Sequence, residues 1–210
     1  MLDDTPLAQV QIARVRAALA QDADAGSSDF DLNGAGPEVI AHYRPAAVLV
    51  PLVPRAQGLS VILTKRASHL KHHPGQIAFP GGKVDASDAD PRTAALREAA
   101  EEIALPAGAA QVLGRLPTHK TVTAFEIHPF VALIDPEFKP QAAPGEVSEV
   151  FEVPFAHVTN PTKFLIEGRR WRGARRAYYT VPFGPYYIWG ATARMLRLFA
   201  DRLGAEPSAD

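Results

Sequence analysis

The stretch FPGGKVDASDADPRTAALREAAEEIAL, residues 79–105, decides how the rest of the chain is read. Pro91 opens a helical segment running to about Leu105, since proline in a first turn lacks only an N–H that would be unpaired there anyway. At about 100° per residue, Leu96, Ala99, Ala100 and Ile103 fall on one face, and Glu98, Glu101 and Glu102 fall together on the other. Glu98 and Glu102 are four apart and so neighbours on the helix surface, with Glu101 beside them. Three clustered carboxylates repel one another. A solvated acidic face accounts for them, and so does a hard divalent cation, which takes oxygen ligands. The residues in front of the helix shift the weight to the cation. Gly81 and Gly82 allow the backbone to approach a ligand closely, and Asp85, Asp88 and Asp90 follow before the helix begins. This is not a phosphate-binding P-loop, because Gly82-Lys83 is followed by Val84 rather than serine or threonine.

Outward from this segment, Ala46–Val53 and Leu59–Thr64 are apolar and β-branched around a break at Pro54–Gly58, which predicts a hairpin. Lys65–Pro80 reads as a long loop containing His69, His72 and His73. Val112–Leu116, Ile127–Ile134, Val147–Val153 and Tyr178–Val181 read as strands. A leading helix is expected over Leu7–Ala20, with Val10, Ala13 and Ala17 at helical spacing. A linker or loop follows over Asp22–Pro37. Trp189–Leu203 closes the chain as an amphipathic helix with Met195, Leu196 and Phe199 towards the core. There is no internal repeat. This order predicts an α+β or α/β sandwich rather than a doubly wound sheet, organised as one domain: a helix and linker over 1–37, then the main body over 38–210.

The chain has 210 residues, enough for one sizeable core. Its formal net charge of -1 offers no global field for nucleic acid or an anionic membrane, so a polyanionic substrate needs local cations or bound metal. The absence of cysteine excludes disulfides, thiolate metal sites and cysteine nucleophiles. No basic segment followed by an apolar run opens the sequence, and the longest apolar run, Pro45–Pro54, is too short to span a bilayer. A cytoplasmic protein without membrane or nucleic-acid partners is expected. No nucleophile elbow and no His-Glu-x-x-His zinc motif occurs.

Gly82 through Leu105 resembles the Nudix box, with Gly82, Arg97, Glu98, Ala99, Glu101, Glu102 and Leu105 matching. Asp88 stands where the pattern has glutamate, one extra residue separates it from Arg97, and Ala104 stands where the pattern has glycine. The last change is expected to alter how the helix ends, because alanine resists the left-handed cap conformation. Just upstream, Leu63-Thr64-Lys65-Arg66-Ala67, Lys71, Gly75 and Phe79-Pro80-Gly81-Gly82 resemble the signature of the coenzyme A pyrophosphatase branch, with Ile62 and Lys71 as departures.

The resemblance implies a Nudix-type α/β/α sandwich with a mixed β-sheet and a loop–helix–loop catalytic motif. It implies Mg²⁺ or Mn²⁺ on Glu98, Glu101 and Glu102, with Arg97 orienting the carboxylates. Glu98 is the first candidate for general base, with Glu146 and Glu149 behind it. Arg66, Lys71, Gly81 and Gly82 would meet the substrate. The implied reaction is metal-dependent cleavage of coenzyme A (CoA) or a CoA ester to 3′,5′-ADP and 4′-phosphopantetheine or its acyl derivative. Two alternatives stand beside it: cleavage of ADP-ribose, NADH or an oxidised nucleotide, and a non-catalytic nucleotide-binding module, which would be expected to lose box carboxylates. A homodimer is a family habit. Tyr178, Tyr179, Tyr186, Tyr187 and Trp189 read as sheet core or partner interface ahead of an adenine stack.

Overall fold

The computed structural model of the protein describes residues 5–21, 26–33, 40–171 and 173–204. In chain order its elements are α1 (Pro6–Ala20), β1 (Ser27–Ser28), β2 (Arg44–Arg55), β3 (Gly58–Arg66), β4 (Ile77–Ala78), β5 (Gly81–Lys83), α2 (Pro91–Ile103), β6 (Ala110–Arg115), β7 (His119–Lys120), β8 (Phe125–Ile134), β9 (Val147–Pro154), α3 (Phe155–Val158), β10 (Leu165–Trp171), β11 (Ala174–Thr180) and α4 (Gly190–Gly204).

β2 is the axis of the main sheet. It reads as a continuous apolar run because both of its faces are covered. Ala47, Leu49 and Val53 pack with Ala94, Ala95, Ala99 and Ile103 of α2. Val50 and Leu52 pack on the other side with Ile12 and Val15 of α1 and with Leu196 and Phe199 of α4. The result is an α/β/α sandwich. Its sheet is mixed: β2 runs parallel to β8 from Arg44↔Phe125 to Leu52↔Leu133, and antiparallel to β3 from Leu52↔Val61 to Arg55↔Gly58.

Along its length β2 changes partner on one side. Its C-terminal half pairs with β3, whereas Ala46–Val48 pair with Lys83–Gly81 of β5. Past Val61 the strand β3 leaves β2 and pairs with β4 at Thr64 and Lys65, while β9 runs along β3 from Ser60 to Arg66. The Leu49 N–H donates to the Pro80 carbonyl at 2.8 Å at this fork. The fork opens the sheet locally and brings the glycine pair against α2.

Several elements differ from the sequence reading. α1 forms where expected, but Val10, Ala13 and Ala17 lie on its solvent face, and Ala8, Gln11, Ile12, Val15 and Ala18 are buried. Alanine-rich helices carry apolar residues all round, so spacing alone does not choose the face. Gln11 ties α1 to the β2–β3 turn by accepting the Leu59 N–H at 2.6 Å. Pro54 lies within β2, opposite Leu59, and the turn is confined to Ala56 and Gln57. The Lys65–Pro80 segment contains β4. Within the expected linker, Ser27 and Ser28 form β1 and pair with β7, while 22–25 and 34–39, including the 37/38 boundary, lie outside the described residues. The hairpin β10–β11 forms its own two-stranded sheet, and β10 has no counterpart in the sequence reading. Among the described residues no helix is long and apolar enough to cross a membrane.

α2 is bounded as its sequence dictates at the start and against expectation at the end. Asp90 caps it, accepting the Thr93 N–H at 2.7 Å, with Pro91 at the first helical position. At the other end Ala104 adopts the left-handed conformation, φ 57°, and caps the helix as glycine would. The change of residue therefore did not change the ending. Ala99 accepts the N–H groups of both Ala104 and Leu105, and Leu105 is buried. This packing holds a conformation that costs alanine about 1 kcal/mol.

Candidate active site

The helical wheel divides α2 imperfectly. Ala100 is exposed, whereas Glu102 is buried to 5% exposure beside Ala99 and Ile103. Glu102 Oε2 accepts the Gly81 N–H at 3.2 Å, and Arg66 Nη1 lies 3.9 Å from Glu102 Oε1. Burial pushes the Glu102 carboxyl up to about 7, against the Gly81 N–H and the Arg66 charge that favour its ionised form; Glu98 and Glu146 add to the rise by repulsion. Burial also raises Glu98, with Arg97 opposing. Both sites thus favour the ionised carboxylate less than water does.

The two glycines are needed for this contact. A methyl group on Gly82 would lie 2.7 Å from Glu98 Oε2, and one on Gly81 would lie 2.7 Å from the Val48 Cα. With no side chain at these two positions, β5 pairs with β2 and lies close against the glutamates of α2.

Arg97 organises the remaining acids. Its Nε and Nη2 grip Asp88 at 3.0 and 2.9 Å, its Nη1 donates to Glu98 at 3.0 Å and Glu101 at 3.4 Å, and its Nη2 reaches the Lys83 carbonyl at 3.2 Å. The paired hydrogen bond with Asp88 holds the guanidinium above its ordinary pKa, and Arg97 holds Asp88 below the usual carboxylate range. Asp88 also accepts the Asp85 N–H at 2.8 Å. The longer loop thus ends in a residue that anchors Arg97. Glu101 sits on the solvent side of the same arginine. Among the described residues no three acidic or histidine side chains already converge as a metal cluster; the carboxylates closest to the glycine pair are Glu98 and Glu102.

Beside the glycine pair a cavity of about 490 Å³ opens on the α4 side of the sheet. Ala46, Val48 and Ile127 contribute to its floor, and Gly81, Gly82 and Arg66 lie at its edge. Arg66 therefore joins cavity and carboxylates; its Nε is buried and has no hydrogen-bond partner among the described residues. Tyr178, Tyr179 and Trp189 line the cavity with Arg169, Arg176 and Arg194, so the first three are not confined to sheet core. Tyr178 and Trp189 meet edge to face at 5.3 Å. Tyr186 instead stacks on Phe151 at 3.6 Å and donates its hydroxyl to Glu149, and Tyr187 donates to Glu167 at 2.8 Å.

Of the residues singled out from sequence, the fold gathers Arg66, Gly81, Gly82, Arg97, Glu98, Glu101 and Glu102. Lys71 is exposed and does not line the cavity. Glu149 is engaged by Tyr186, while Glu146 is the loop acid whose charge reaches Glu102. Sequence reading missed Asp29 and the hairpin arginines. Asp29 lines the cavity, and its oxygens accept from His119 Nε2 at 3.1 Å and the Val122 N–H at 3.0 Å. Behind it the buried Ser27 Oγ lies 2.9 Å from His119 Nδ1. Ser27 is covered, so this Ser–His–Asp chain acts as a strut for Asp29 and not as a nucleophile.

The family profile described as the NUDIX domain matches residues 42–172. An uncharacterized Nudix hydrolase, NudL, of Enterobacter sp. (strain 638) is 40% identical over 168 residues, spanning 80% of this chain and 87% of the relative. NudL of Salmonella paratyphi B is 43% identical over 166 residues, or 79% of this chain and 86% of its own. Among solved structures, a NUDIX hydrolase from Alicyclobacillus acidocaldarius aligns at 21% identity and a TM-score of 0.47, covering 56% of this chain and 81% of that one. With a matched domain spanning the sheet, the glycine pair and the acidic helix, the chain belongs to the Nudix hydrolase family.

Proposed function

We propose that the protein hydrolyses the diphosphate linkage of CoA or a CoA ester, releasing 3′,5′-ADP and 4′-phosphopantetheine or its acyl derivative. The observation that carries the hydrolytic reading is the juxtaposition of Glu98 and Glu102 with a side-chain-free glycine pair at the mouth of a cavity. Support for CoA comes from the stretch Leu63–Gly82, whose pattern resembles that of CoA pyrophosphatases.

The donor chemistry suits a hard divalent cation, Mg²⁺ or Mn²⁺. Glu98 and Glu102 offer oxygen ligands whose ionised form is disfavoured by burial, and Glu101 stands one turn-neighbour away. When bound, such an ion neutralises phosphate charge, polarises a phosphoryl oxygen and lowers the pKa of water. The chain's own residues do the rest. Arg97 holds Glu98 and Glu101 in place, with Asp88 fixing the arginine in turn. The Arg66 Nε–H, buried and unmatched, is a donor for a phosphate oxygen. Gly81 and Gly82 let the diphosphate approach the backbone. Glu98, raised by burial, is the first candidate to accept the proton of the attacking water. Glu146 stands behind it as the loop acid whose charge is felt at Glu102.

Mass spectrometry of products after incubation with CoA, ADP-ribose and an oxidised dGTP, each with and without Mg²⁺ or Mn²⁺, tests this reading. Metal-dependent 3′,5′-ADP plus 4′-phosphopantetheine is the expected result. Cleavage of another substrate alone would replace the substrate and keep the hydrolase; binding without cleavage of any would overturn the catalytic reading.

A further inference from the structure

We propose that Asp29 determines specificity: its carboxylate accepts a hydrogen bond from an uncharged O–H or N–H group on the nucleoside half of the substrate. Among the described residues lining the cavity Asp29 is the single carboxylate, against cations that include Arg66, Lys83 and Arg169. A phosphate is drawn to those cations and repelled by Asp29. An ionised carboxylate has acceptors and no donor, so the group it selects must donate without carrying negative charge.

The carboxylate is held in place from three directions. One oxygen accepts from His119 Nε2 at 3.1 Å and the other accepts the Val122 N–H at 3.0 Å. His119 and Ser27 behind it are both buried. With the Nε2–H turned towards Asp29, Nδ1 accepts from the Ser27 hydroxyl at 2.9 Å. The Asp29 N–H also donates to the Lys120 carbonyl at 3.0 Å. A carboxylate has about four lone-pair directions, and these contacts take one on each oxygen. The side chain remains 21% exposed, at the cavity wall. Its neighbours are otherwise engaged. The Asn33 amide is spent on the Asp29 carbonyl and on both backbone groups of Ala177. Thr121 Oγ1 meets Thr123 and accepts the Phe125 N–H. Asp29 therefore offers a ligand fixed acceptors that need no reorganisation on binding.

The inference rests on reading the cavity as a nucleoside diphosphate site, and its test is binding rather than cleavage, so the two fail separately. Calorimetric titration of the full chain compares 5′-AMP with three analogues. 2′-Deoxy-AMP and 3′-deoxy-AMP each lack one ribose hydroxyl, and inosine 5′-monophosphate replaces the amine with a carbonyl. The wild type should bind at least one analogue about tenfold more weakly than 5′-AMP, and which one tells ribose from base. Asp29→Asn should close that gap to within about threefold while leaving the affinity for the same analogue within about threefold. Should Asp29→Asn fail to fold, Asp29→Glu, which keeps the charge and moves it by one methylene, supplies the comparison. Equal affinities in the wild type, or no binding of any of the four, would overturn the proposal. So would an undiminished gap in the variant, or an equal fall for 5′-AMP and analogue, which a merely structural role produces. A gap confined to 3′-deoxy-AMP, closed by Asp29→Asn, would uphold Asp29 and count against CoA, whose 3′-oxygen carries phosphate. If CoA is cleaved and no gap exists, the CoA reading stands and the role of Asp29 falls.

Discussion

Helix α2 and the β10–β11 hairpin serve the same cavity in contrasting ways. α2 presents carboxylates spaced by three and four residues, all carried on one helix, with Arg97 holding Glu98 and Glu101 and the Gly81 N–H meeting Glu102. The hairpin presents arginines, paired across strands, to a space whose other walls come from β1, β2, β8 and α4. On α2 the neighbours that matter are neighbours in sequence. On the hairpin they are brought together by the whole fold. A motif on one helix can thus be read from a short stretch of sequence, whereas a cavity wall assembled from distant segments cannot.

This contrast can be broken by experiment. Glu102→Gln should cut turnover by about a thousandfold or more on every cleaved substrate, with cooperative melting retained. Loss confined to one substrate would place Glu102 in selectivity instead. Gly82→Ala should lower kcat about a hundredfold, because its methyl displaces the movable end of Glu98. Gly81→Ala meets the Val48 backbone instead, and urea denaturation should show a stability loss of about 1–3 kcal/mol. Equal behaviour of the two variants would remove the distinction between a glycine that faces a movable side chain and one that faces fixed backbone. On the hairpin side, Trp189→Ala should raise KM for a nucleotide substrate about tenfold while kcat stays within about threefold. A fall in kcat alone would erase the division of labour. The smallest effect is expected at the helix end: Ala104→Gly should stabilise the protein by about 1 kcal/mol without touching activity, by relieving the positive φ.

The legibility of the two regions in sequence differs for the same physical reason. The doubly covered strands β2, β3 and β8 announce themselves as apolar runs, and α2 announces itself through Pro91 and its periodicity. The inner face of α1 was not legible, because Val10 and Val15 are equally apolar and only the fold decides which is buried. Nor was the burial of Glu102: on a wheel it belongs with Glu98 and Glu101, and it is buried where Gly81, which has no side chain, meets a helix whose apolar face lies on the sheet. Leu165–Trp171 hid as a strand because its exposed residues, including Ile166, Arg169 and Arg170, carry no inward apolar alternation. Asp29 had no local signal at all. Its role depends on His119, ninety positions away.

The change of partner along β2 has a consequence for the time course of folding. The β2–β3 turn joins Arg55 to Gly58, whereas the parallel ladder joins Arg44 to Phe125 and waits for a far larger loop to close. α2 needs Ala132 and Ile134 of β8 to complete its apolar cover. Until that strand arrives, α2 lacks part of the apolar surface that holds it on the sheet. The burial of Glu102 then belongs to the last steps on the way to the native state, so Glu102→Gln should change the unfolding rate while leaving the refolding rate nearly unaltered in stopped-flow measurements. A nascent chain would carry its acidic helix as an ordinary solvated one, and bring its glutamates against the glycine pair only when the sheet closes around it.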